Sequence, residues 1–180
     1  MHRRQPLPRL WLMTDERQGE RLWRALERLP RGSGVVFRHY HLQPKDRRQL
    51  FRRVKAIADK RRLVLLLAGS PGEARAWGAD GSHGRARPRP ARSGLQSASA
   101  HDVREIRTAE RNGAALIFLS PVFPTRSHPG AAPLGRVRFG LLARQTGLPV
   151  IALGGMDARR ARSLMALGIY GWAAIDAWSG

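Results

Sequence analysis

Thr125 and Ser127, two small hydroxyls separated by one residue, stand in the stretch Ser120–Gly130 among Pro121, Pro124 and Pro129. Prolines fix the backbone, so the hydroxyls between them are aimed rather than free to wander. Such a pair can donate to the oxygens of an anion. About thirty residues later Gly154-Gly155 closes the apolar run 149–153 and precedes Met156-Asp157. A strand that ends in glycines and opens a helix is a natural seat for phosphate, because backbone N–H groups can approach the anion closely. The bland alternative is that the glycines merely tighten a turn. The rigid hydroxyl loop beside them tips the reading towards a phosphate seat built from Thr125, Ser127, Gly154 and Gly155. Proton-transfer chemistry has its own candidates, His39, His41, His83 and His128, which fall where strands are expected to end. For any one of these a buried or solvated imidazole is the commoner explanation, and His83 and His128 are the foremost for a chemical role.

These groups need a scaffold, and the hydropathy pattern supplies one. Short apolar runs at 10–13, 34–37, 63–67, 78–82, 95–99, 115–119, 149–153 and 171–175 read as eight strands. The run Leu63–Leu67 is apolar throughout, as in a strand buried on both faces. Between the strands, apolar residues recur at helical spacing over Arg17–Leu29, from Pro44 to Ala58, and over Pro71–Trp77, His101–Asn112, 137–146 and 158–167. Strict alternation of this kind predicts a parallel sheet, and eight units in one domain predict a closed (β/α)8 barrel. An open doubly wound sheet is the runner-up. The chain is short for a barrel, and the shortage falls after the fourth strand, where the helix is expected to be missing or vestigial. There Gly84–Ser93 carries Arg85, Arg87, Arg89 and Arg92 among two prolines and reads as a flexible loop.

Length and composition narrow the class. The 180 residues suit one domain, 1–180, with a real core. Without cysteine there are no disulfides, thiolate nucleophiles or zinc–thiolate sites. No apolar stretch approaches membrane-spanning length and the first residues form no apolar leader, so a cytoplasmic protein is expected. The net charge is +20, and of 33 basic residues only Lys45, Lys55 and Lys60 are lysine, leaving 30 arginines. Arg21, Arg24, Arg28, Arg47, Arg48, Arg52 and Arg53 fall at helix-surface positions, which favours solvated helix faces over a nucleic-acid footprint.

With the strands placed, the chain resembles the thiamine phosphate synthases and their relatives, the TenI thiazole tautomerases. The likeness is carried by Leu10–Asp15, Gly78–His83, Ser99-Ala100-His101, Pro121-Val122-Phe123-Pro124-Thr125 and Pro149–Met156, in family order over almost the whole chain. It implies a (β/α)8 barrel in thiamine biosynthesis and a phosphorylated small-molecule ligand, a thiazole phosphate or thiamine phosphate. It also implies a transferase that joins a pyrimidine pyrophosphate to the thiazole with the help of magnesium. By the same resemblance Thr125, Ser127, Gly154 and Gly155 hold the thiazole phosphate, and Arg38 and Ser99 face the other substrate.

Several family positions are changed. The glutamine-x-arginine-x-lysine after the second strand reads Val36-Phe37-Arg38-His39-Tyr40, so only Arg38 remains. The asparagine–aspartate pair after the third reads Ala68-Gly69, and the aspartate expected just after His83 falls in Gly84–Pro90, which has no acid. His128 takes the place of a lysine, Pro121 that of the tautomerase's histidine, and Asp176 that of a small residue beside the phosphate. The expectation is therefore no bound metal or other cofactor, with Arg38, Ser99 and His128 as the remaining catalytic candidates and His83 as a further acid/base. A non-catalytic small-molecule-binding or regulatory relative, a TenI-like tautomerase and, last, a basic nucleic-acid-binding protein remain as alternatives. The oligomeric state, a homodimer included, is left open.

Overall fold

The computed structural model describes residues 6–84, 94–125, 130 and 132–178. Its strands are β1 (Leu10–Met13), β2 (Gly34–Phe37), β3 (Val64–Ala68), β4 (Gly81–Gly84), β5 (Leu95–Ala100), β6 (Leu116–Leu119), β7 (Val150–Ala152) and β8 (Gly171–Ala174). They pair in chain order, all parallel, and β8 returns to β1 to close the barrel. Helices α1 (Arg21–Arg28), α2 (Pro44–Arg61), α3 (Pro71–Trp77), α4 (Val103–Arg111), α5 (Gly135–Ala143) and α6 (Ala158–Leu164) fill the crossovers. Between β4 and β5 only Gly94 is described, so the expected loop at 84–93 lies, Gly84 apart, outside the described residues.

Strand alternation sorts the apolar residues into an inner and an outer core. Trp11, Met13, Val36, Leu66, Ala68, Leu116, Phe118, Ile151 and Ala173 pack inside the barrel. Trp11 dominates the floor. A Cβ on Gly34 would lie 2.1 Å from its ring, so glycine there is what admits the indole, which meets Phe118 edge-on at 5.4 Å. Outside, the alternate residues of each strand meet the helices. Leu12, Val35, Phe37 and Leu65 pack under α1–α3, and Ile117, Leu119, Val150 and Ala152 under α4–α6. Each fully buried Leu, Ile or Phe contributes about 1.5–3 kcal/mol, which makes these two shells the main support of the ring.

Element ends differ from the sequence expectation for local reasons. The first helix is split, a 3-10 turn Glu16–Gln18 followed by α1, because Gly19 takes φ +47° between them. The fourth strand begins at Gly81, three residues later than expected: Gly78 caps α3 with φ +74° and the Asp80 carboxylate accepts the Leu65 N–H at 2.8 Å. The fifth helix stops at Ala143 because the Thr146 hydroxyl donates to Glu110 Oε1 at 2.6 Å and accepts the Leu148 N–H, drawing the chain away. The arginines at helix-surface positions are exposed, except Arg47, which turns inward.

Candidate functional site

A cavity of about 180 Å³ opens at the carboxyl ends of the strands, with Arg38, His101, Thr125, Gly154, Gly155 and Asp176 in its wall. Two of its walls are joined by backbone hydrogen bonds. Val122 N donates to Leu153 O at 2.9 Å and Phe123 N to Gly154 O at 3.1 Å, while Leu134 N and Gly135 N bond back to Pro121 O and Val122 O. The loop after β6, which contains the cis Ser120–Pro121 bond, is thereby attached to the end of β7. Both glycines are required by this contact. A Cβ on Gly154 (φ +95°) would lie 2.7 Å from Pro121 Cα, and one on Gly155 (φ +61°) 2.5 Å from Pro124 O. In these trans peptides the N–H groups of Gly154 and Gly155 run antiparallel to the carbonyls bonded to the loop, and so point away from it. Arg160 on α6 donates to Gly155 O and lies 5.1 Å over the Phe123 ring, bracing the turn from outside.

Across the mouth stands Arg38, directly after β2. Its Nε donates to Thr14 O at 2.8 Å, its Nη2 to Asp15 Oδ2 at 2.6 Å, and its backbone N to Thr14 Oγ1 at 2.9 Å. Burial lowers its pKa from the usual guanidinium value, against the pull of Asp15. Asp15 caps the first turn, with Gln18 reciprocating. Burial pushes the Asp15 carboxyl upward, but the Arg17 hydrogen bonds and the charges of Arg38 and Arg17 outweigh it, holding the group below the ordinary aspartate value. Gln18 Nε2 donates to Ile175 O at 2.7 Å, tying this turn to the residue that follows β8. The Arg17 pKa is raised, first by its Asp15 hydrogen bond and also by the charge of Asp176.

The histidines separate. His83 is buried inside the barrel, Nδ1 2.9 Å from Ser97 Oγ and Nε2 3.2 Å from Ser99 Oγ, with its ring edge-on to Phe118 at 4.9 Å. Burial first, then the Arg38 charge, lowers its pKa to about 4. His39 is buried too, 3.0 Å from Thr14 Oγ1 and stacked on Phe37, with its pKa lowered to about 4 chiefly by burial. His41 is exposed and paired with Glu16 at 2.5 Å. Ser127 and His128 lie outside the described residues. His101, absent from the candidates above, is in the cavity wall with Nδ1 2.8 Å from Glu105 Oε2. Its signal was its place two residues beyond Ser99, at the end of a strand.

The carboxyl end of β3 is filled. Arg47 reaches in from α2, donating to Arg38 O at 2.9 Å, Ala68 O at 2.7 Å and Glu73 Oε1 at 3.2 Å. A Cβ on Gly69 would meet Glu73 Oε2 at 2.5 Å. A hard dication needs several oxygen ligands, yet here the Ala68 carbonyl and the Glu73 carboxylate both serve a guanidinium. Among the described residues here, both oxygens are thus already engaged by Arg47. Among the described residues no three His, Asp or Glu side chains are grouped to hold a metal, and no helix is long and apolar enough to cross a membrane.

The ring of parallel strands with a cavity at their carboxyl ends defines a (β/α)8 barrel protein with its site on the loop face. Residues 10–178 match the thiamine monophosphate synthase family, and the chain belongs to it. The putative thiamine-phosphate synthase 2 of Aquifex aeolicus is 32% identical over 94% of this chain and 97% of its own length. The thiamine-phosphate synthase of Salinispora arenicola is 32% identical over 96% of this chain and 90% of its own. In fold, the thiamine phosphate pyrophosphorylase of Pyrococcus furiosus superposes with a TM-score of 0.77 at 22% identity, covering 97% of this chain and 88% of that one.

Proposed function

We propose that the protein binds a phosphorylated thiazole, or thiamine phosphate, at the barrel mouth, and that it turns over little or nothing as a magnesium-dependent synthase. Thr125 and Ser127 supply hydroxyls and Gly154 and Gly155 supply N–H groups to the phosphate, while Arg38 and Ser99 face the second substrate and His128 is the remaining catalytic candidate. The observation that carries the first half is the attachment of the 121–124 loop to the Gly154-Gly155 turn, which orients two N–H groups with little freedom left to lose on binding. The second half rests on Arg47 and Glu73 filling the space beside Ala68-Gly69. That same observation favours a binding or regulatory relative over an active transferase.

Isothermal titration with thiazole phosphate is the test. Thr125→Ala should weaken binding about fivefold, the worth of one hydrogen bond. Gly155→Asp should abolish it by placing a carboxylate at the turn. Equal or absent binding in all three proteins would refute the reading. Failure to rescue a thiamine-requiring strain lacking the synthase is expected. Rescue, or magnesium-stimulated formation of thiamine phosphate by the purified protein, would show an active enzyme.

A further inference from the structure

Helix α2 runs for 18 residues and α3 for 7, so α3 cannot cover the whole flank of α2. A groove of about 680 Å³ is left between them on the outside of the barrel. Its α2 wall carries Lys45, Arg48 and Arg52, and its α3 wall carries Glu73 and Trp77. Steps of three and four residues set the cations on one stripe of the helix, about 10 Å long at 1.5 Å per residue. Elsewhere on α2 cations have partners: Arg53 lies 4.2 Å from the Trp23 ring centre, and Lys55 pairs with Asp59 at 2.8 Å. Among the described residues no carboxylate pairs with Lys45, Arg48 or Arg52, and all three are exposed. Glu73, across the groove, is matched by Arg47 at 3.2 Å. The groove therefore offers three unmatched positive charges on one side and an indole on the other.

Charge complementarity calls for an anionic occupant, and the walls narrow its kind. A single-stranded nucleic acid needs open aromatic faces for its bases. Trp77 is the aromatic residue lining the groove, and it already packs against Arg47 at 5.3 Å and Phe51 at 5.2 Å. A second copy of the chain would bring its own net charge of +20 to a basic wall. An extended polypeptide fits better, because its successive side chains point to opposite sides and can meet the two unlike walls.

We propose that the α2–α3 groove docks an extended acidic segment of a partner protein, with carboxylates at alternate positions facing α2 and apolar side chains facing Trp77. Alternate side chains of an extended chain stand about 6.6 Å apart. Arg48 and Arg52 are separated by about 6 Å along the helix axis, so the two spacings match. The inference rests on this outer groove and not on the ligand at the mouth.

Fluorescence anisotropy at roughly 0.15 M salt, with a fluorescein-labelled Glu-Leu-Glu-Leu-Glu peptide, is the test. Wild type should bind it about fivefold more tightly than the block peptide Glu-Glu-Glu-Leu-Leu of the same composition. Arg48→Gln with Arg52→Gln should weaken the alternating peptide about fivefold, as two surface ion pairs allow. Arg138→Gln with Arg162→Gln removes the same charge from exposed positions on α5 and α6. That control should change binding by less than about twofold. The chain has no cysteine, so Gln49→Cys places a single thiol in the groove and Ala166→Cys one in the turn after α6. A chloroacetyl-capped alternating peptide should alkylate the first thiol and spare the second. No binding of the alternating peptide, equal binding of the two peptides, or equal loss in the two double variants overturns the proposal. So does equal alkylation of the two thiols, or an oligothymidylate that binds as tightly as the alternating peptide.

Discussion

At Gly154 the backbone and the neighbouring loop make the same demand. A side chain would have to adopt φ +95° and push Pro121 Cα from 2.7 Å, so Gly154→Ala should cost about 1–3 kcal/mol. That is a fall of several degrees in Tm. Gly32→Ala, with φ +79° but open space around it, should cost less, and differential scanning calorimetry of the two separates packing from backbone strain. His83 has a pH consequence. Its folded pKa of about 4 lies below the ordinary 6.5, so the unfolded chain binds the extra proton first. Its contribution to stability is whole above pH 6.5, declines as the pH falls towards 4, and is flat below that. Denaturant melts between pH 7 and 4 should show this decline, and His83→Gln should flatten part of it, His39 supplying the rest.

The elements are held at the loop face by groups that span them. Arg47 leaves α2 and ties the β2–α2 loop, the end of β3 and α3 through Arg38 O, Ala68 O and Glu73, and its guanidinium lies 5.3 Å from the Trp77 ring centre. A lysine ammonium cannot span this planar set of acceptors. Arg47→Ala should destabilise by about 2–3 kcal/mol, and Arg47→Lys should recover less than half of that in the same urea melt. Full recovery by lysine would mean that charge alone, rather than the fork, holds these elements together. The short α6 depends on its own cap, Asp157 accepting the Arg160 N–H at 2.8 Å.

At the scale of the whole molecule, the mouth of the barrel carries the Arg38 and Arg47 guanidinium groups paired with Asp15 and Glu73. Neither magnesium nor EDTA should then shift the Tm, or the affinity for thiazole phosphate. A magnesium-dependent rise in either would mean that the Arg47–Glu73 pair opens to admit the ion. Among the described residues, most of the arginines stand exposed on helix faces. A gel shift with random RNA should therefore show weak binding that is lost as salt rises.

The barrel was legible in the order of the residues because its determinants are local and periodic. Eight short apolar runs separated by helical spacing leave few topologies open, and Gly154-Gly155 and Pro121–Thr125 mark the ends of two of those runs. Element boundaries were less legible, since Gly19, Asp80 and Thr146 set them through backbone angle and hydrogen bonds to distant partners. The site's charges were least legible. That Arg47 turns inward to Ala68 and Glu73, that Asp15 holds Arg38 besides capping its own turn, and that His101 reaches the cavity wall depend on contacts across 21 to 26 residues in the first two cases and on cavity shape in the third. Sequence alone determined the ring of strands and the loops that carry the site, because hydrophobic period and glycine or proline placement act over a few residues. Only the tertiary structure decided which charges neutralise one another and which way each hydrogen bond runs, because those are settled by distances between residues the chain does not place side by side.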